Sequence, residues 1–522
     1  MAPDKDQKQS LSKNVTLAAA IILAMNLIAK VLGFVREMVI ARVFGATMYT
    51  DAYLVAYQLP YSVQQVVGWA IVSVTVPLLT KHIVDGDRRE ADLSANFFLN
   101  STAWLMLVFS LLGVVAAPLL VQLTAPALQT ETAALAVQLT RIMFPSVLFV
   151  CLGMVLTGIL NANRRFGVAS FAPAFSSIII IGVVLLFGRN QGIRGLAWGT
   201  LLSFVGFFLI QIPSLLRTGW RYQFCLPRKN KEIQTAMASL VPIILGMSVN
   251  QIYYILNRFF ASGLAEGSIS ALNYGAKLAQ FPAGVFVSAI AVAIYPLLTE
   301  YAIVGDLKRF RDALEKGIGV VLVLSAPAAA GLMALRVPIV RILFEHGAFT
   351  AADTLAASSA LFYYAGGIVA YSLILVLLRV FFAFSDVKVP VYAGICGIAA
   401  NILVSMALMN SMGHDGLALA TTIGSIVNML VFFFFLKKHL PEMTFGPLLV
   451  SAGKIFSASL LMAAVVSLTA RLLADRGDLT VLLAGISVGV LFYLLLVVVF
   501  RMREGQWVKE MIMKKIGRSS CR

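Results

Sequence analysis

The chain has 522 residues, of which 60% are hydrophobic and only 12% are charged, and its mean hydropathy is +0.90. This composition excludes a soluble globular domain and is typical of a membrane protein with many spans. The formal net charge of +17 would suit a nucleic-acid partner. The basic residues, however, lie in short segments between apolar stretches, where membrane topology accounts for them. We therefore expect no nucleic-acid partner.

Neither metal chemistry nor enzymatic chemistry has a visible basis in the sequence. No CxxC pair and no metal-ligand spacing occurs, because the cysteines and histidines are scattered one by one. No Walker motif and no nucleophile–base arrangement is present either. We therefore expect a transporter without a metal, a cofactor or a catalytic centre.

Apolar stretches long enough to cross a bilayer follow one another along the whole chain. A helix needs about 20 residues to cross the hydrocarbon core, and Gly, Pro or charged clusters separate the stretches. The sequence predicts an all-α polytopic membrane protein with 14 transmembrane helices, at roughly 14–44, 52–80, 93–120, 134–161, 166–188, 193–217, 236–261, 268–300, 317–336, 353–384, 388–411, 414–437, 446–473 and 479–501.

The basic residues predict the orientation of these helices. With 14 spans, both termini lie on one side of the membrane, and that side holds 27 of the 41 Lys and Arg residues. The opposite loops hold 6, and the remaining 8 lie within spans. Because cytoplasmic loops carry the excess of Lys and Arg, we expect both termini in the cytoplasm.

Two sequence patterns recur at nearly the same offset. Pro-Leu-Leu-Thr at 77–80 recurs at 296–299, and a Gly-x-x-Gly-Leu-Ala pattern at 192–197 recurs at 413–418. These matches predict two six-helix repeats around a central cavity, related by an axis along the membrane normal, plus two C-terminal helices. The predicted organisation is a cytoplasmic tail at 1–13, a first bundle at 14–217, a cytoplasmic linker at 218–235, a second bundle at 236–438, helices 13 and 14 at 439–503, and a basic cytoplasmic tail at 504–522.

The first predicted span carries charges where lipid would be expected. Lys30, Arg36 and Glu37 lie well inside it, and a charge at that depth costs at least about 2.5 kcal/mol unless it faces water or a partner. Lys30 and Glu37, seven residues apart, share a helical face. They could form an ion pair that only fixes helix packing. We favour a cationic cavity for an anionic substrate.

Asp51, just before span two, and Arg258 and Lys277, in spans seven and eight, add further charges. The repeat sets spans seven and eight against spans one and two, so these three residues are predicted to share one cavity with Lys30, Arg36 and Glu37. The net positive charge suits a diphosphate or another multiply charged anion, because Arg and Lys bind phosphate well.

Several segments together resemble the MurJ (MviN) family. They lie at 33–37 (Gly-Phe-Val-Arg-Glu), 41–46, 50–53, 267–274, 281–285, 346–354 and 413–421, and the resemblance covers about residues 14–440. The family consists of lipid II flippases in the multidrug/oligosaccharidyl-lipid/polysaccharide exporter superfamily. The resemblance implies a groove for the lipid tail beside the last two helices and a cationic cavity for the diphosphate and sugar.

The resemblance also implies a function and its partners. The substrate is a lipid-linked anionic glycan, moved by alternating access during peptidoglycan synthesis in the cytoplasmic membrane, among membrane lipids and in possible association with the cell-wall synthesis machinery. The family's charged cavity positions fall on Lys30, Arg36, Glu37, Asp51 and Lys277.

The sequence departs from the family pattern at four cavity positions. The Arg-Arg pair of span two is Gln64-Gln65 here, and family glutamates are replaced at Trp69 and Gln280. A flippase for another undecaprenyl-diphosphate-linked oligosaccharide, as in exopolysaccharide synthesis, is therefore the main alternative. A cation or drug antiporter would need an acidic cavity, and a membrane scaffold would not need buried charges.

Overall fold

The computed structural model describes the backbone of residues 5–224 and 231–503, and the side chains of these ranges except 5–21, 23, 189, 231, 249 and 250. The predicted C-terminal tail and part of the predicted linker lie outside the described residues. Within the described ranges every regular element is helical, as the sequence predicts. The helices form two compact units, divided after Gly267.

In its described residues, the first unit contains ten α-helices. They are α1 (Lys5–Phe44), α2 (Met48–Val63), α3 (Trp69–Val84), α4 (Arg88–Val115), α5 (Ala117–Thr124), α6 (Thr130–Met143), α7 (Ser146–Ala162), α8 (Phe166–Leu209), α9 (Ile212–Leu216) and α10 (Lys231–Ala261). A π-helical turn, Gln64–Gly68, joins α2 to α3. The predicted seventh span, α10, thus packs in the first compact unit, although the sequence repeat assigns it to the second bundle.

The second unit contains ten more. They are α11 (Ser268–Pro282), α12 (Ser288–Val304), α13 (Leu307–Ala334), α14 (Arg336–Phe344), α15 (Ala351–Gly366), α16 (Ile368–Ala383), α17 (Lys388–Met412), α18 (His414–His439), α19 (Gly446–Leu472) and α20 (Asp478–Val499). A π-helical turn, Ala283–Val287, joins α11 to α12.

Thirteen of the predicted spans have a counterpart in the structure. Ten helical stretches in the described part of the chain are long and apolar enough to cross a membrane, and three bent helix pairs bring the number to thirteen. The three bent pairs correspond to the predicted spans 134–161, 236–261 and 353–384, each longer than 25 residues. The predicted first span, 14–44, lies on α1, whose first residues have no described side chains, so it stays a prediction.

The two units repeat each other's local irregularities. The π turns begin 219 residues apart, at Gln64 and Ala283. Asp87 and Asp306, also 219 apart, cap α4 and α13 by accepting the backbone N–H three residues on, each at 3.0 Å. Gly192 and Gly413 both adopt a positive φ, 59° and 57°. Recurrence of uncommon backbone features at the sequence offset supports the internal repeat.

The two C-terminal helices belong to the second unit. Ile455 and Met462 of α19 and Val481 of α20 share a buried apolar core with residues of α13 and α16. The Arg341 side chain of α14 donates to Asp478 at the start of α20, at 3.1 Å, and this hydrogen bond raises the pKa of Arg341. This ion pair ties the start of α20 to α14.

Candidate substrate site

The charged centre of α1 is a buried ion pair. Nη2 of Arg36 donates to Oε1 of Glu37 at 2.7 Å, and the two side chains are only 16% and 9% exposed. Consecutive residues on a helix do not normally face each other, so this pair needs the long arginine to bend across the helix surface. The guanidinium also lies over the ring of Tyr57, 5.9 Å from its centroid, a favourable position for a cation.

The ion pair leaves part of the arginine unsatisfied. Nε of Arg36 is buried and has no hydrogen-bond partner among the described residues. Buried polar groups are normally hydrogen-bonded, and an orphaned one points to a missing ligand or water. A guanidinium that neutralises one carboxylate and keeps a spare donor is suited to receive an anionic oxygen.

Helix α2 carries a row of three tyrosines beside this arginine. Tyr53, Tyr57 and Tyr61 follow at four-residue spacing, and consecutive rings are stacked with centroids 5.7 Å apart in both pairs. Tyr53 is buried, and its hydroxyl is hydrogen-bonded to Thr200 of α8 at 3.0 Å. Tyr57 and Tyr61 are partly exposed.

A second polar row on α2 receives Arg258. The guanidinium of Arg258 donates to Oε1 of Gln58, whose Nε2 donates to Oγ of Ser62 at 2.8 Å. Ser62 donates in turn to Oε1 of Gln251 at 3.3 Å. Two side chains of α10 thus meet two side chains of α2 through hydrogen bonds inside the first unit.

Asp51 has a backbone partner. Its Oδ2 accepts the Gly267 N–H at 2.7 Å, and the residue is 4% exposed. Gly267 adopts φ +81°, and an added Cβ would lie 2.4 Å from the Ala46 carbonyl oxygen. Asp51 therefore holds the loop that follows α10 against the turn between α1 and α2.

The two lysines among the predicted site residues are exposed. Lys30 lies on α1 of the first unit, and Lys277 lies on α11 of the second. Lys277 stands 219 residues after Gln58, so the repeat places a cation in one unit where the other has an amide bound to Arg258. The two lysines therefore belong to different compact units.

The site thus differs in detail from the sequence prediction. Arg36 and Glu37 form one centre, Arg258 joins α2 through Gln58, and Asp51 holds a backbone loop. The sequence analysis did not single out Tyr57 or Gln58, although the four-residue tyrosine spacing was visible. In the described part of the chain no cluster of three or more His, Cys, Asp or Glu side chains could hold a metal ion.

Known proteins resemble this chain over most of its length. A family model described as Lipid II flippase MurJ matches residues 40–501. A probable lipid II flippase MurJ of Vibrio cholerae is 31% identical over 87% of this chain and 90% of its own. The lipid II flippase MurJ of Burkholderia cenocepacia is 29% identical over 82% and 84%.

Solved structures agree with this similarity. A lipid II flippase MurJ in an inward closed conformation matches with a TM-score of 0.80 and 27% identity, covering 92% of this chain and 98% of its own. An inward-facing multidrug resistance MATE family transporter matches with a TM-score of 0.67, covering 81% and 98%. At 16% identity the second match shows a shared fold alone. The family model matches most of the chain, and the alignment with the 31% identical relative covers 90% of that relative. The chain therefore belongs to the MurJ family of lipid II flippases.

Proposed function

We propose that the protein is a flippase that moves lipid II from the inner to the outer leaflet of the bacterial cytoplasmic membrane by alternating access. Membership of the MurJ family supports this function. The observation that connects this function with a particular residue is the burial of Arg36 in α1. Its spare Nε donor suits the diphosphate that links the lipid to its glycan.

The proposed site assigns a different role to each charge. Arg36 binds the diphosphate, and Glu37 holds the guanidinium and keeps the net charge of the centre low while no substrate is bound. Arg258 orients the polar row of α2, and the exposed Lys30 supplies further positive charge for the anion. Lys277 of the second unit remains a predicted site residue. Asp51 acts on the same site indirectly, because it fixes the loop that joins α10 to α11.

One observation favours a second substrate. Gln64 and Gln65 lie at the π turn after α2 and are partly exposed, and the ring of Trp69 is 47% exposed just beyond them. Neutral amides and an indole bind hydroxyl groups and sugar faces rather than a second phosphate. Another undecaprenyl-diphosphate-linked oligosaccharide is therefore the alternative substrate.

The experiment is rescue of a bacterial strain whose own lipid II flippase is depleted. The wild-type chain is expected to restore growth and outer-leaflet lipid II, and Arg36→Ala is expected to reach the membrane in equal amount without restoring either. A wild-type chain that is present in the membrane but leaves lipid II in the inner leaflet would overturn lipid II as the substrate. The alternative would then be tested in the same strain supplied with an exopolysaccharide precursor, by asking whether the protein moves that precursor to the outer leaflet.

A further inference from the structure

The tyrosine ladder of α2, defined as Tyr53, Tyr57 and Tyr61, continues away from the charged centre. Its first ring is fixed by the hydrogen bond to Thr200, and its middle ring carries the Arg36 guanidinium. Its last ring stacks on the middle one at 5.7 Å, with an interplanar angle of 24°. The ladder is thus a stack of three rings with the cation over the middle one.

The repeat indicates that the fold does not need these rings. At the offset of 219 residues, the tyrosine positions correspond to Leu272, Ala276 and Gln280 of α11. That helix also leads into a π turn, so the same backbone is built in the second unit without any aromatic side chain at these places. The ladder is a feature of the first unit only.

The free parts of the ladder are amphipathic. Among the described residues, no hydrogen bond is formed by the hydroxyl of Tyr57 or Tyr61. Both rings are partly exposed, so each offers an apolar face and a hydroxyl. The amides of Gln64 and Gln65 follow three and four residues after Tyr61, at the start of the π turn, and both side chains are partly exposed.

We propose that Tyr57 and Tyr61 form a subsite for the first sugar of the lipid-linked substrate, next to the diphosphate at Arg36. A pyranose ring has an apolar C–H face that packs on an aromatic ring and a rim of hydroxyl and amide groups that hydrogen-bond to side-chain amides. In a diphosphate-linked glycan the first sugar is bonded directly to the phosphate. A cation beside the first of two stacked rings, with amides beyond the second, matches that order of groups.

This inference rests on the proposed function and names which part of the substrate α2 recognises. The test measures binding of two probes to the purified full-length protein in detergent: lipid II, and undecaprenyl diphosphate, which lacks the sugar. Tyr61→Leu is expected to weaken lipid II binding about tenfold, the loss of one ring contact, and to leave undecaprenyl diphosphate binding unchanged. Tyr57→Leu is expected to weaken lipid II binding more than undecaprenyl diphosphate binding, because the Tyr57 ring also lies under the Arg36 guanidinium. Tyr61→Phe keeps the ring and is expected to stay within about twofold of wild type.

The control is Tyr49→Leu, because Tyr49 lies at the start of the same helix, is 50% exposed and lies outside the ladder. If the leucine variants weaken the binding of both probes equally, the rings only support the fold. If lipid II binding is unchanged, the rings do not touch the sugar. Either result overturns the subsite. Failure of the wild-type protein to bind either probe would overturn the proposed function as well. Binding of both probes with equal affinity by wild type would overturn the subsite alone.

Discussion

Variants that remove one or both charges of the Arg36–Glu37 pair can separate its structural role from its proposed role in substrate binding. Glu37→Leu leaves the guanidinium at 16% exposure without the carboxylate at 2.7 Å. Removing one partner of a buried ion pair costs about 3–5 kcal/mol. The double variant Arg36→Met with Glu37→Leu removes both charges, and replacing a buried pair by apolar residues is neutral or stabilising by about 1–4 kcal/mol. Stability should therefore fall in the single variant and return in the double variant.

Transport activity, unlike stability, should not return in the double variant. Both variants are expected to fail in moving lipid II, because the double variant folds without the cation that binds the diphosphate. The assay is denaturant unfolding of the detergent-solubilised protein, followed by tryptophan fluorescence, together with growth rescue. Lys81→Met is the control, since the Lys81–Glu232 pair is largely exposed, at 58% and 41%, and solvent screening leaves such a pair with little effect on the free energy of unfolding. A double variant that transports normally would refute the role of Arg36, and an undiminished stability of Glu37→Leu would refute the buried pair.

Three further outcomes are expected. Gly275→Ala should destabilise the second unit by about 1–3 kcal/mol, because the new Cβ would lie 2.9 Å from the Leu361 backbone nitrogen. Gly331→Ala, whose new Cβ would have no atom nearer than 3.9 Å, should stabilise its helix by about 0.5–1 kcal/mol. Thermal unfolding of the two variants measures this difference. Arg341→Ala should cost only about 0.5–1 kcal/mol because the side chain is 43% exposed, and a loss of several kcal/mol in unfolding experiments would contradict this. An impermeant thiol reagent should label a cysteine placed at Glu266 in intact cells and not one placed at Lys229, and labelling at Lys229 would reverse the predicted topology.

The spans were predictable because lipid imposes one simple condition on sequence. A predicted span at 388–411 is the helix Lys388–Met412, and one at 446–473 is Gly446–Leu472. The repeat was predictable from two short patterns, and the structure adds a physical basis, since the first glycine of the second pattern adopts a positive φ in both halves, at Gly192 and Gly413. The compact units were less predictable, because the packing of α10 depends on contacts such as Arg258 with Gln58 that no local pattern encodes.

The candidate site was predictable in its residue types and less so in its pairings. Charges within a span identified Arg36 and Glu37, and helical spacing placed Lys30 and Glu37 on one face. The structure bonds Glu37 to its neighbour Arg36, a pairing that helical spacing does not indicate. The partner of Asp51 could not be predicted, because it is a backbone N–H at Gly267, 216 residues away. Burial indicates that a charge needs a partner, and only the fold determines which group supplies it.

The most direct test of the account is lipid II translocation in proteoliposomes that contain only this protein. A membrane-impermeant reagent that modifies the lipid II head group should reach nearly all of the lipid when the wild-type protein is present, and only the outer-leaflet share in protein-free vesicles. With correctly inserted Arg36→Ala protein, the accessible share should equal that of protein-free vesicles. Full access with Arg36→Ala would contradict the proposed binding of the diphosphate at α1, and no added access with wild-type protein would contradict the flippase function itself.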